Sequence, residues 1–167
     1  TLTDDAFSQE MEVTFPGCDS TRHAKLSTLL GFAVAAASGD YEARDLGYEK
    51  LRAMGQVFLL SRLLLTIHRT PQLGEILTVA TWEDGVRGVQ MRRGCSMTTA
   101  SGEVLVSARS QWILVDPESR KILRPSCFTA RQFHQPDFPL DCPECDKVLP
   151  PRQQLEELGE HRVVWSD

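Results

Sequence analysis

The chain has 167 residues, 41% of them hydrophobic and 25% charged, the balance of a globular protein with one sizeable core. Its formal net charge of -5 argues against a surface given over to nucleic acid. No apolar run reaches the roughly 20 residues that span a bilayer, and the opening TLTDDAFSQE lacks the basic and apolar parts of a signal peptide, so the sequence predicts a cytoplasmic protein with no membrane span.

In chain order, EMEVTFPG predicts a short strand broken at Pro16 and Gly17, and CDSTRHAK a polar loop. A long helix follows in LSTLLGFAVAAASGDYEARDLG, where Leu26, Leu29, Leu30, Ala33, Val34 and Ala37 recur at helical spacing. A helix apolar over so much of its surface is expected to be enclosed. YEKLRAMG adds a short helical turn. From Gln56 the period becomes that of strands: QVFLLSRLLLTIHRT, EILTVATWED, VQMRRGCSMTTA and EVLVSARSQWILVD, parted by the turn signals TPQLGE, DGVRG and ASGE and closed by DPESRK. The only long helix precedes this antiparallel meander. The expected class is therefore α+β, one long curved sheet wrapped around a central helix. After ILRPSCF, the stretch TARQFHQPDFPLDCPECDKVLPP carries five prolines and reads as a connector, residues 126–160, before strand-forming residues return in RVVWSD.

A long apolar helix followed by a twisted meander is the arrangement of the hotdog fold. The segments CDSTRHAKLSTLL, GYEKLRAMG, LLSRLLLTIHRTPQLGEILTVATW and SARSQWILVDPESRKILRP resemble the N-terminal half of acyl-ACP thioesterases, over about residues 10–125. The resemblance implies hydrolysis of a fatty acyl thioester on acyl carrier protein, to free fatty acid and carrier thiol, with no cofactor. It also implies two hotdog repeats in one chain. The first would shape the acyl pocket with Leu26, Leu30, Ala33 and Val34. Arg62 would stand at the acyl or phosphopantetheine entrance, unless it is simply a solvent-facing strand residue. The second repeat of such proteins opens with a strand into a loop of the form D-x-D-x-N-x-H-x-N-N, and residues 161–167 resemble its beginning.

Setting EVTFPGCD over RVVWSD puts Val13 over Val163, Phe15 over Trp165 and Gly17 over Asp167. On that register the first repeat's loop offers Asp19 at the second acidic position and His23 at the histidine, while Thr21 and Lys25 replace the two asparagines. The copy is degenerate, so the catalytic set is expected just past Asp167 and these residues alone are expected to be inactive. Asp19 and His23 are then either an auxiliary site or a capped turn beside a solvated histidine. Rival readings are a single-hotdog acyl-CoA thioesterase acting as a homodimer through Asp19, and a non-catalytic acyl-binding module.

Five cysteines, an odd number, fit reduced thiols better than disulfides. Cys127, His134, Cys142 and Cys145 could in principle share a zinc ion, although a lone C-x-x-C in a connector reads more simply as free thiols; no metal is assigned. Arg87, Arg92 and Arg93 form either a patch that steers an acidic carrier or a charged hairpin edge. Trp82 and Trp112 read as core packing. No G-x-S-x-G elbow is present.

Overall fold

A computed structural model of the chain describes residues 1–131, 138–149, 156, 159, 160 and 162. The expected strand in RVVWSD, His134 and most of PRQQLEELGE lie outside the described residues. Five strands form one antiparallel sheet: β1 (Phe7–Glu12), β2 (Val57–Ile67), β3 (Ile76–Arg87), β4 (Gln90–Thr98) and β5 (Val104–Val115), in the order β1-β3-β4-β5-β2. Among the described residues the α-helices are α1 (Leu26–Ala43) and the short α2 (Tyr48–Ala53). This is the predicted hotdog arrangement.

Alternation along each strand separates the two faces of the sheet. Leu77, Val79, Thr81 and Glu83 of β3 are all buried at every second position, and Val79 pairs with Met97 of β4, which pairs with Val106 of β5. Against this inner face α1 buries Leu29, Ala33, Ala36, Ala37 and Asp40. Three alanines in that row let the helix approach the sheet closely, and Val13, Leu77, Val79, Met97 and Val106 complete the core. A second cluster, Leu46, Leu51, Met91, Leu114 and Phe128 with Tyr41 and Phe58 against it, closes the end of the sheet beneath α2.

Three sequence expectations are corrected here. Enclosure of α1 is one-sided: Leu26 is 57% exposed, Gly31, Ala35 and Ser38 are exposed, and Leu30 and Val34 are half-buried. So many small apolar residues leave the helical period without a sharp face, and the buried row centres on Leu29 and Ala36 instead of Leu26 and Leu30. The segment DGVRG is more than a turn. β3 runs through it to Arg87, with a register shift after Glu83, Gly85 at φ 84°, and the reversal at Gly88, φ 63°. β1 begins at Phe7, where Ser8, Gln9 and Glu10 on an edge strand disguise it.

On the outer face a segment of the connector lies across the sheet as a strap. Phe138 stands edge-on to Trp82, ring centroids 5.1 Å apart. Arg109 Nε donates to the Cys142 carbonyl at 2.9 Å, Gln111 Nε2 to the Cys145 carbonyl at 2.7 Å, and Arg92 pairs with Glu144 at 3.2 Å. Trp82 lies against Gly94, whose missing Cβ would come within 2.5 Å of the indole.

Candidate functional site

The C-terminal half of α1, α2 with its lead-in, and the inner face of the sheet leave a cleft of about 150 Å³ between them. Its walls are largely apolar: Ala37, Leu46, Leu51, Phe58, Met91 and Trp112. Phe58 lies tilted against Tyr41, and Phe128 stands edge-on to both from behind, at centroid distances of 5.2 to 6.0 Å. A separate and much smaller space of about 10 Å³, between Ala33, Val34, Leu60 and Cys95, has Arg93 and Trp112 as walls in common with the cleft.

Tyr41, Glu83 and Arg93 line one end of the cleft, and behind them lies a buried polar network whose members come together only in the fold. Asp40 of α1 is 1% exposed and accepts from three arginines: Arg44 Nε at 2.7 Å, Arg93 Nη2 at 2.8 Å and Arg131 Nη1 at 3.3 Å. Burial works against its ionisation, but Arg93, aided by Arg44 and Arg131, outweighs that and holds the carboxyl below the usual range. Arg93 also donates to Thr81 Oγ1 at 3.1 Å and sits 5.4 Å from the centre of the Tyr41 ring. Glu83, 2% exposed, accepts from the Tyr41 hydroxyl at 3.0 Å. For Glu83 burial prevails over the pull of Arg131 and Arg93, and its carboxyl is raised. Burial, with Glu83 nearby, raises the Tyr41 phenol as well.

The residues singled out from sequence do not converge on this cleft. Ala33 and Val34 line the small adjoining space, and neither Leu26 nor Leu30 borders either cavity. Arg62 follows a register shift in β2, pairs with Gln111 and hydrogen-bonds its side chain at 2.9 Å on the outer face, beneath the strap. Asp19 Oδ1 accepts from the Thr21 amide at 2.8 Å, the Thr21 hydroxyl at 2.7 Å and the His23 amide at 3.1 Å, which is how an aspartate caps a turn. The Thr21 hydroxyl, committed to Asp19, accepts from His23 Nδ1 at 2.9 Å, leaving Nε2 to face the Gln72 amide at 3.4 Å. The Thr21 hydroxyl first, then the His23 amide, lowers the Asp19 carboxyl.

The arginine patch is also dismantled. Arg93 is 5% exposed within the buried network, Arg92 reaches Glu144, and Arg87 alone of the three is exposed. Trp82 packs on the outer face while Trp112 forms a cleft wall. All five cysteines are free thiols; Cys142 directs its sulfur at the Leu64 carbonyl, and Cys127 is exposed at a turn whose carbonyl accepts from Gln56. Among the described residues no three side chains are placed to hold a metal ion, and no helix is long and apolar enough to cross a membrane.

Sequence reading missed Asp40, Glu83 and Arg131. Two of them carried a signal: Asp40 continues the row Leu29, Ala33, Ala36 at helical spacing, and Glu83 continues Leu77, Val79, Thr81 at strand spacing. An acid that extends a buried row is a buried acid. The cleft has neither histidine nor cysteine among its described lining residues; what it can do is shelter an apolar chain against a polar end.

Residues 4–126 match the acyl-ACP thioesterase N-terminal domain. No curated protein matches the chain. Among solved structures it is similar to a protein described as an oleoyl thioesterase from Lactobacillus plantarum, at 24% identity and TM-score 0.72, over 80% of this chain and 53% of that one. An acyl-ACP thioesterase from Bacteroides thetaiotaomicron shares 19% identity with TM-score 0.69, over 93% of this chain and 62% of that one. The DHNA-CoA thioesterase of Staphylococcus aureus shares 13% with TM-score 0.67, over 74% and 83%. The chain thus spans between half and two thirds of the length of the first two, and at these identities the likeness establishes the fold.

Proposed function

The chain belongs to the acyl-ACP thioesterase family, matched through that family's N-terminal domain, and from that premise we propose that it forms the acyl-pocket half of an enzyme hydrolysing acyl-ACP to free fatty acid and carrier thiol. The observation that carries the reading is the apolar cleft of about 150 Å³ between α1, α2 and the sheet. A catalytic loop supplied by a second hotdog repeat would hold the thioester, and the alkyl chain would lie along α1 into the cleft. Partition of the chain out of water favours binding by about 0.8 kcal/mol for each buried methylene, which gives such a pocket its power over chain length. Acyl carrier protein and the acyl thioester are the proposed partners, and the cytoplasm the proposed compartment.

The test is hydrolysis by the full-length protein of acyl-ACPs of graded length, for the wild type and for Met91→Trp, which fills the cleft. A shift of the preferred chain towards shorter substrates is expected. Absence of acyl-ACP hydrolysis, or an unchanged length profile in a folded Met91→Trp protein, would sink the reading.

A further inference from the structure

The two register partners of Trp112 border two different spaces. On β4 Trp112 faces Met91, which lines the cleft; on β2 it faces Leu60, which lines the small space beside Ala33 and Val34. The indole is itself a wall of both, and among the described residues Arg93 is the other wall they have in common. These two walls are held differently. Arg93 is 5% exposed and gives Nη2 to Asp40 at 2.8 Å and Nη1 to Thr81 Oγ1 at 3.1 Å, so the buried network fixes its place. Trp112 Nε1 donates to Ser110 Oγ at 2.9 Å, a tie to a neighbour on the same strand and the same face.

We propose that Trp112 sets the length of acyl chain the protein accepts, as the partition between the cleft and an apolar space behind it. The inference rests on the cleft being the acyl pocket and names the residue that bounds it. A cavity of about 150 Å³ holds one benzene molecule, so about six carbon atoms fill the cleft. Beyond the indole the walls are Ala33, Val34, Leu60 and Leu63, which suit further methylenes, but a space of about 10 Å³ has no room for them. The ring therefore stands where apolar volume would otherwise continue, and a chain approaching from either side meets it. A smaller side chain at position 112 would give the volume of the ring to the ligand and join the two spaces, while Arg93 stayed in place.

The experiment uses the full-length protein and two readouts: kcat/KM on acyl-ACPs of graded length, and calorimetric affinity for the corresponding free fatty acids. In the wild type both should rise with length to an optimum and fall beyond it. In Trp112→Leu and Trp112→Ala the optimum should move to longer chains, with a gain of about fourfold for each methylene newly buried, and it should move less in Trp112→Phe. A general loosening of the core would lower every length alike, so the ratio of long to short substrates isolates the partition. A wild-type affinity that climbs without a break to the longest chain would overturn the inference, even if no variant at position 112 folds. So would a folded Trp112→Leu protein with the wild-type optimum, or no binding of any fatty acid. An optimum that moves in Met91→Trp but not in Trp112→Leu would reject this inference and keep the thioesterase reading; a fatty-acid optimum that moves in Trp112→Leu without acyl-ACP hydrolysis would do the reverse.

Discussion

Asp40 Oδ2 lies 2.8 Å from Arg93 Nη2, and both side chains are almost wholly withdrawn from water. The contact pins α1 to β4 at the point where the alanine row ends, and it orients the arginine that walls both cavities.

Replacing Asp40 with Asn should therefore be severe. Three guanidinium groups would face a neutral amide, and breaking a buried pair by removing one partner costs about 3 to 5 kcal/mol. Equilibrium denaturation should show the loss. A fall below 1 kcal/mol would mean that solvent reaches the arginines and that the cluster is not a closed unit.

The two buried carboxyls give stability opposite pH signs. The folded Asp40 carboxyl is lowered, so its contribution is complete above its ordinary 3.8 and is lost as pH falls through the lowered native value. Glu83 is raised, so stability declines as pH rises from its ordinary 4.5 towards the native value, where the buried group at last ionises. Denaturation midpoints followed from acid to neutral pH should show Asp40→Asn losing the acid-side fall and Glu83→Gln losing the decline above 4.5. Two variants with the wild-type profile would contradict the assignment.

Gly94→Ala is expected to cost about 1 to 3 kcal/mol, since the new methyl would press against the Trp82 indole within 2.5 Å and no flexible tip is there to yield. A displaced indole would also release Phe138. Faster proteolysis between residues 138 and 149, with altered tryptophan fluorescence, would accompany the drop in melting temperature.

Residues 1–167 by themselves are expected not to hydrolyse acyl-ACP or acyl-CoA. Asp19 spends Oδ1 on three local donors, and Thr21 and Lys25 stand where the family loop has amides. In a longer protein that hydrolyses acyl-ACP as proposed, Asp19→Asn should leave turnover near wild type. Turnover by the 167-residue chain that Asp19→Asn abolishes would instead favour a single-hotdog enzyme.

That same isolated chain is expected to self-associate. β2 is an edge strand with Leu59 at 50%, Leu60 at 41% and Ile67 at 43% exposure, and Leu26 is uncovered on α1. Sedimentation should show dimers at micromolar concentration. A stable monomer would mean that the edge needs no cover.

The order of helix and meander strands was legible because each has a clean period: LSTLLGFAVAA repeats as a helix, and EILTVATW alternates as a strand. The face of α1 was not, because alanine fits inside or outside equally well. Nor was the cleft's polar end. Asp40, the hairpin partners Glu83 and Arg93, and Arg131 come from three separate stretches of the chain, and only the buried rows that Asp40 and Glu83 extend mark any of them as interior. Arg93 in particular sits in a run with Arg92, and strand alternation sends one to the core and the other to the strap. Asp19 was legible as far as its turn, since D-S-T is a local capping pattern that needs no partner from elsewhere.

The strap over the outer face is fastened in two ways: through its main-chain oxygens at Cys142 and Cys145, received by Arg109 and Gln111, and through the side chains of Phe138 and Glu144, which meet Trp82 and Arg92. Every residue type presents a main-chain oxygen, so at the first two points the instructions for seating the strap are stored in the sheet. The strap's own sequence counts where it offers a ring or a carboxylate. A change at Arg109 or Gln111 would unseat a segment whose sequence had not altered at all.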